Sequence, residues 1–272
     1  MKFRLALGGV MVVVLSAIAA TGIASAASGN SLTCTGGNWT GDPSTSTFTP
    51  IQSGNYARIT VAGVCAVAQD AVINVTGNID VAPGAVLDAQ SAPSTIIVGH
   101  NVTAGADSVL GLGCQPYGYV SHAPHTCFVE PEGHSVITIN GNVTATGADT
   151  VLLNGITVGR NVTLTGGGGD IPWALKNNTV GGNFTVNDVT PEWLGVLFNN
   201  IGGNLNLSNI TATDPEDDGN AAVSVVVNTI GKNLNCENLG PRLTGGGIPY
   251  EVNIVGHKTT GQCVGLKSDG TP

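Results

Sequence analysis

The stretch Val180-Gly181-Gly182-Asn183-Phe184-Thr185-Val186 carries the pattern that decides the fold. An apolar residue stands three positions before the Asn, and Gly usually stands two before it. Apolar residues one and three positions after the Asn flank a polar residue. The pattern recurs along the chain, and its anchor positions are Asn78, Asn101, Asn142, Asn161, Asn183, Asn204, Asn233 and, in a degenerate last copy, Lys258. Such a recurrence indicates a repeat architecture.

Successive anchors are separated by 23, 41, 19, 22, 21, 29 and 25 residues. The intervals of 41 and 29 residues indicate repeats that carry an insertion. Alternation of apolar and polar residues around the anchor predicts short, half-buried strands. The Gly predicts a corner with positive φ, and the anchor Asn is a residue type that tolerates the left-handed conformation.

Repeats this short cannot bury their own apolar face, so successive coils must stack on one another. The sequence therefore predicts an all-β fold, a parallel β-helix (β-solenoid) of about eight coils with nearest-neighbour contacts. A second recurrence lies five residues before each of the last four anchors. Stacked Asn side chains form amide ladders, and this recurrence predicts one from Asn178, Asn199, Asn228 and Asn253.

An alternative interpretation applies to some of the Asn residues. Asn-x-Ser/Thr is the glycosylation acceptor pattern, and it occurs at Asn101, Asn142, Asn161, Asn183 and Asn206. Because most of these residues coincide with the repeat, we expect a structural role for them.

The two ends of the chain differ from the repeat. Residues 1–26 have the basic start, the apolar stretch and the small-residue site (Ala24-Ser25-Ala26) of a signal peptide; a retained membrane anchor is the alternative. Residues 27–69 lack the repeat and are expected to form an N-terminal cap. Residues 70–272 are expected to form the parallel β-helix, closed at its C-terminal end by a disulfide, with no transmembrane segment in the mature chain.

The cysteine count and the charge restrict the class of protein. Six Cys in an exported chain predict three disulfides, although 15 connectivities exist. Pairing of sequence neighbours gives Cys34–Cys65, Cys114–Cys127 and Cys236–Cys263; metal binding by thiolates is the alternative. Nine basic residues against 18 acidic ones give a net charge of −9. Such a chain lacks the basic surface of a nucleic-acid-binding protein.

The Val/Ile-Gly-x-Asn-apolar-polar-apolar coil over residues 70–266 resembles secreted bacterial right-handed parallel β-helix proteins of the pectin-lyase-like architecture. The segment from Asn228 to Cys236, followed by Gly261 to Leu266, is similar to the end of many members whose function is uncharacterised. The resemblance implies right-handed coils of three short strands, and many relatives cleave or bind acidic polysaccharides. Gly99-His100-Asn101 and Gly256-His257-Lys258 depart from the Gly-His-Gly motif of galacturonan hydrolases, and Ile230 stands where their Asn-Thr-Asp motif has Asp. Asp217-Asp218 is the sole acidic pair, and we expect it on a loop.

Three groups of residues are candidates for binding. Trp173 and Trp193 lie 10 and 11 residues before successive anchors, and paired indoles on a flat face suit sugar rings. An acidic segment offers oxygen ligands for calcium, and an insertion rich in His offers ligands for zinc. The acidic candidates are Asp214, Glu216, Asp217 and Asp218, and the candidates for zinc are His122, His125 and His134. A solvated loop and an ordered disulfide loop are the respective alternatives.

These features predict a secreted, extracellular protein without catalytic residues or a required cofactor, with calcium as the cofactor to test. Its expected role is structural or adhesive at the cell surface, with polysaccharide or cell-envelope components as partners. The alternative function is that of a polysaccharide lyase or glycoside hydrolase.

Overall fold

The computed structural model describes residues 29–213, 222–246 and 251–266. Within these ranges the chain forms short strands joined by tight corners. In chain order they are β1 (Asn30–Cys34), β2 (Thr49–Ile51), β3 (Gly54–Val61), β4 (Val64–Val67), β5 (Ala71–Val75), β6 (Ile79–Val81), β7 (Val86–Ala89), β8 (Ser94–Val98), β9 (Val102–Ala104), β10 (Val109–Leu112), β11 (Val136–Ile139), β12 (Val143–Thr146), β13 (Thr150–Asn154), β14 (Thr157–Val158), β15 (Val162–Thr165), β16 (Trp173–Lys176), β17 (Thr179–Val180), β18 (Phe184–Val189), β19 (Leu194–Leu197), β20 (Asn200–Ile201), β21 (Leu205–Thr211), β22 (Val223–Val226), β23 (Thr229–Ile230), β24 (Leu234–Gly240), β25 (Leu243–Thr244), β26 (Ile254–Val255) and β27 (Thr259–Gly261).

The strands stack into three parallel ladders, which are the three faces of a β-solenoid. Face A contains the start of β3 and then β5, β8, β11, β14, β17, β20, β23 and β26. Face B contains β1, the end of β3, β6, β9, β12, β15, β18, β21, β24 and β27. Face C contains β2, β4, β7, β10, β13, β16, β19, β22 and β25. The predicted all-β parallel solenoid is confirmed.

One apolar column from each face fills the interior. In a single coil, Val98 of face A, Val102 of face B and Leu110 of face C are all buried, and the same positions are apolar in the coils on either side. Each such side chain contributes roughly 1.5–3 kcal/mol when it is removed from water. The core is therefore one continuous cluster that runs along the solenoid axis.

The Gly two positions before the anchor has a different role from the one predicted. It lies at the corner between faces A and B, but Gly181 and Gly202 are not among the residues with positive φ. A Cβ on Gly202 would lie 2.6 Å from the carbonyl oxygen of Gly181 in the preceding coil, and the equivalent glycines are just as close to theirs. Glycine is required there because successive coils approach so closely, and the left-handed conformation is not involved.

The anchor Asn residues also avoid positive φ, and they form an outer amide ladder along the same corner. Asn142 Nδ2 donates to Asn101 Oδ1 at 3.1 Å, and Asn233 Nδ2 donates to Asn204 Oδ1 at 2.9 Å. Each Oδ1 also accepts the backbone N–H of the residue at the anchor position of the following coil. In this outer ladder the donor always belongs to the later coil.

The inner amide ladder, Asn178, Asn199, Asn228 and Asn253, lies at the corner between faces C and A. Asn178 Nδ2 donates to Asn199 Oδ1 at 3.0 Å and to the carbonyl oxygen of Leu153 at 2.9 Å. The same two bonds recur at Asn199 and Asn228, which are about 1% exposed or less. Here the donor belongs to the earlier coil, so the two ladders run with opposite polarity.

The stack begins earlier than the sequence indicated. Residues 29–69 do not form a separate cap, because β1 and β3 pair with face B and β2 pairs with β4 on face C. The first corner has Arg58 where later coils have Asn, and it pairs with Asp80 at 2.7 Å. The predicted signal peptide, residues 1–26, lies outside the described residues.

Three disulfides connect the sequence neighbours named above: Cys34–Cys65, Cys114–Cys127 and Cys236–Cys263. All six Cys are buried, and the three bridges are compatible with an oxidising environment. In the part of the chain that the structure describes, no helix has the length and apolarity needed to span a membrane.

Candidate functional site

The outer surface of face C is bordered by irregular segments on both sides. The segment 35–48 lies between β1 and β2, at the edge between faces B and C. The insertion 113–135 lies between β10 and β11, at the edge between faces C and A, and accounts for the 41-residue interval. Face C is therefore the floor of a groove whose walls are these two segments.

Segment 35–48 is held against the outer surface of face C by apolar packing. Trp39 and Phe48 pack over Val64, Val86 and Val109, which are buried although they point away from the main core. The rings of Trp39 and Phe48 meet edge to face, 6.3 Å between centroids. This small second cluster fixes one wall of the groove.

The insertion is attached to the coils by hydrogen bonds from several parts of its length. Val129 N donates to the carbonyl oxygen of Ser91 at 2.9 Å. Lys176 Nζ donates to the carbonyl oxygen of Pro124 at 3.0 Å, and Gln69 Nε2 donates to Glu130 Oε2 at 2.7 Å. Together with the Cys114–Cys127 disulfide, these contacts hold the second wall in place.

Between the two walls lies an open depression of about 290 Å³. Phe48 on one wall and Phe128 and Val129 on the other give it apolar sides. Polar groups reach it from the coils below. Its lining consists of Pro43, Phe48, Ala66, Val67, Gln69, Asp88, Ser91, Ala92, Phe128 and Val129. Phe128 is 72% exposed, so its ring is accessible to a ligand.

Asp88 is the carboxylate in this depression, and it is turned toward the protein backbone. Asp88 Oδ1 accepts the backbone N–H groups of Gln90 and Ser91 at 3.0 and 2.9 Å. Asp88 is only 8% exposed. Its hydrogen bonds shape the turn that follows β7, and they leave one carboxylate edge for other contacts.

The predicted pair of Trp residues does not form. Trp173 points into the core, is fully buried and donates from Nε1 to the carbonyl oxygen of Asp149 at 2.9 Å. Trp173 pairs in register with Leu194, so Trp193 is displaced by one residue and points outward. In a strand, a displacement of one residue moves a side chain to the opposite face.

Trp193 remains on the outer surface of face C, about four coils from the Phe128 depression, or roughly 19 Å at the spacing of parallel strands. Its ring lies over Gly195, where a Cβ would be 2.0 Å from Trp193 Cη2, and its Nε1 donates to Ser224 Oγ at 3.1 Å. The outer surface of face C thus carries a second aromatic ring outside the depression.

The three His residues of the insertion do not converge on a zinc site. The His122 ring stacks on Phe198 at 5.0 Å and the His134 ring stacks on Tyr119 at 4.1 Å, while His125 faces Lys176 and Asp88. Among the described residues, no group of three or more His, Cys, Asp or Glu side chains is placed to hold a metal ion. His122 packs the insertion against the coils, and His134 packs within the insertion. The acidic residues proposed for calcium, 214 and 216–218, lie outside the described residues.

His125 is half-buried and faces Lys176 and Asp88. Burial, which is the larger cause, and the positive charge of Lys176 together lower the pKa of its imidazole to about 4, and Asp88 opposes the shift. Burial also lowers the pKa of Lys176. His125 is therefore neutral at pH 7, and its backbone N–H and carbonyl both bond to Gln115, which closes the base of the insertion.

Sequence reasoning missed the depression because its residues come from four separate parts of the chain. The signal that was available is the clustering of Tyr117, Tyr119 and Phe128 in one insertion of a chain with only 4% aromatic residues. Comparison of the chain with protein-family models, with curated proteins and with solved structures finds no match.

Proposed function

We propose that the protein is an exported structural or adhesive surface protein of the pectin-lyase-like architecture, which holds a polysaccharide along the outer surface of face C. The observation that carries the proposal is the depression between Phe48 and Phe128. It combines accessible aromatic rings with polar groups of the coils, and a sugar has the complementary surface, with apolar ring faces and polar edges.

The shape of the groove supports a polymer more than a small molecule. The depression is open, and Trp193 lies further along the same face, so a chain that extends along face C could contact both Phe128 and Trp193. The floor is rigid because each strand of face C from β4 to β22 is bonded to a neighbour on both sides. A preorganised floor lowers the entropic cost of binding.

Export is supported by the leader-like sequence of residues 1–26 and by the three disulfides. An exported protein of this kind would meet polysaccharides of an envelope or a matrix.

The test uses cellulose, xylan, mannan and chitin as probes in co-sedimentation assays with the mature protein. We expect binding to at least one of them, and Phe128→Ala to weaken that binding about tenfold, as expected for an aromatic contact worth about 1.4 kcal/mol. Tyr117→Ala is the matched control, because Tyr117 is 75% exposed on the same insertion but does not line the depression.

Equal loss of binding in both variants, or no binding to any of the four polymers, would reject the face C site. Release of shortened or unsaturated sugars from a bound polymer would replace the structural role with the lyase or hydrolase alternative.

A further inference from the structure

The outer surface of face B carries two columns of short polar side chains, most of them Thr. Strand pairing aligns the outward residues of this face from coil to coil. In β12 and β15 both outward residues are Thr, so these two strands form a Thr-x-Thr pair in register. The first column contains Thr103, Thr144, Thr163, Thr185 and Asn206, and the second contains Thr146, Thr165, Asn187 and Ser208. We call this arrangement the Thr lattice.

The Thr lattice has fixed repeats in two directions. Neighbouring coils are about 4.8 Å apart, and the two outward residues of one strand are about 6.6 Å apart, because a parallel strand rises about 3.3 Å per residue. Each strand of the lattice, from β9 to β21, is bonded to a neighbour on both sides. Thr is β-branched, which limits the orientations that its hydroxyl and methyl groups can take. The spacing of these groups is therefore set before any ligand arrives.

The hydroxyl groups in the middle of the lattice are available to a ligand. At its borders, polar side chains bond to each other: Thr103 Oγ1 donates to Asp80 Oδ1 at 2.8 Å, and Asn206 Nδ2 donates to Thr185 Oγ1 at 3.3 Å. The central side chains make no side-chain hydrogen bond to any residue that the structure describes, and they are Thr144, Thr146, Thr163 and Thr165. All four are half-buried or exposed, so their hydroxyls face solvent.

The lattice is uncharged and has no aromatic ring among its residues, which are Thr, Asn and Ser. Charge enters the columns only outside the lattice, at Asp80 in the coil before Thr103 and at Glu237 in the coil after Ser208. A charged partner is recognised by fixed charges of opposite sign. A sugar site usually offers an aromatic ring to the apolar face of the sugar, as Phe128 does on face C. The lattice instead suits a neutral partner that presents hydrogen-bonding groups at a regular spacing.

Ice is a neutral partner with these properties. The surface of an ice crystal presents water molecules in a two-dimensional lattice whose repeats are close to the two distances of face B. Each of these water molecules donates and accepts hydrogen bonds, and a Thr hydroxyl also does both. Because the side chains and strands of the lattice are already held in place, few degrees of freedom are lost when the two surfaces meet.

We propose that the outer surface of face B binds ice, with the Thr lattice as the contact surface. The hydroxyls of Thr144 and Thr163 take the places of water molecules in the outermost layer of the crystal, and the methyl groups beside them order the water between the columns. The crystal stops growing where the protein is adsorbed. The proposal rests on face B alone and does not depend on the polysaccharide site of face C.

The experiment grows ice slowly from a dilute solution of the mature protein and measures the fraction of the protein that the ice takes up. A growing crystal excludes proteins that do not bind it. We expect this protein to be taken up and to prevent the coarsening of small ice crystals. Thr163→Tyr places a ring in the middle of the lattice and keeps a flat crystal surface away from its neighbours, so both effects should be lost. Thr146→Tyr tests the same surface at an exposed position, where a ring is easily accommodated.

Thr157→Tyr is the matched control, because Thr157 is exposed on face A in the same coil as Thr163. It should keep full uptake into ice, and Phe128→Ala should keep it as well, which separates this surface from face C. Circular dichroism and urea denaturation verify that each variant is folded.

Exclusion of the wild-type protein from ice would overturn the proposal, and so would uptake that survives both Tyr substitutions in the lattice. An equal loss in Thr157→Tyr and Thr163→Tyr would also overturn it. Adsorption to crystalline cellulose that is lost in Thr163→Tyr, without uptake into ice, would reject ice and assign the lattice to a crystalline polysaccharide.

Discussion

Replacing Asn199 by Ala tests the inner amide ladder directly. Asn199 Nδ2 donates to the carbonyl oxygen of Leu175 and to Asn228 Oδ1 at 2.8 and 2.9 Å, and its Oδ1 accepts both the backbone N–H and Nδ2 of Asn178 at 3.0 Å. The substitution removes four hydrogen bonds and leaves the buried Asn178 N–H without an acceptor. An orphaned buried group costs about 1–3 kcal/mol, and each other lost bond adds about 0.5–1.5 kcal/mol. We therefore expect the free energy of unfolding to fall by about 5 kcal/mol.

Asn204→Ala is the matched control within the same coil. Asn204 makes three side-chain hydrogen bonds in the outer ladder, to Asn183 and Asn233, but it is only half-buried. Water can replace those bonds, so the loss should be about 1 kcal/mol. Urea denaturation measures both values, and hydrogen exchange of the Asn178 amide provides a local readout.

In Asn199→Ala, the Asn178 amide should lose its protection, whereas in Asn204→Ala it should keep it. If Asn204→Ala destabilises the protein as much as Asn199→Ala does, burial does not determine the strength of the ladder. If Asn199→Ala costs less than about 1 kcal/mol, the hydrogen-bond argument itself is wrong.

Three further predictions concern the corner, the insertion and pH. Gly202→Ala should destabilise the protein by about 1–3 kcal/mol in thermal denaturation, whereas Gly118→Ala, with open space around it, should be neutral; equal effects would refute the close-approach argument. Replacing both partners of Cys114–Cys127 by Ser should cost about 3 kcal/mol and make the insertion sensitive to protease; an unchanged digestion pattern would contradict this. Burial and Lys176 lower the pKa of His125 in the folded protein to about 4. Between about pH 6.5 and pH 4, the unfolded state therefore binds a proton at His125 and the folded state does not. His125 should therefore account for a loss of roughly 3 kcal/mol in the free energy of unfolding over that pH range. His125→Phe should flatten the dependence of this free energy on pH, and an unchanged dependence would assign the loss to other groups.

The coil itself was predictable because its requirements are local and repeat in every turn. The close approach of the carbonyl in the preceding coil requires Gly, and the hydrogen bond between coils requires Asn. The same residue types therefore recur in each repeat, as Gly181 and Asn183 show. The physical reason assigned to those residue types was wrong, because neither residue adopts positive φ. Sequence pattern shows that a residue type is required, but it does not distinguish close approach from backbone conformation.

Two sequence predictions were wrong for the same reason: an offset of one residue between strands cannot be recognised until the register of strand pairing is known. Trp173 and Trp193 lie 10 and 11 residues before their anchors, and this single residue places one indole in the core and the other outside. The first coil was missed because it is one residue shorter at its corner and has Arg58 in place of Asn. The pairing of strands, and not the composition, decides on which side of the sheet each indole lies and where the stack of coils begins.

The groove could not be predicted because Phe48, Asp88 and Phe128 are brought together only by stacking. Each belongs to a different segment, and none lies in the recurring motif around the anchor position.

The opposite polarity of the two amide ladders has a consequence for the length of the molecule. In an α-helix, peptide dipoles add along the axis until each end carries about half a charge. Here the inner row of amides points one way and the outer row points the other way, so over the coils from Asn178 to Asn233 the two contributions oppose each other. Extra turns of the chain could be inserted in this region without building up a field that the ends would have to neutralise.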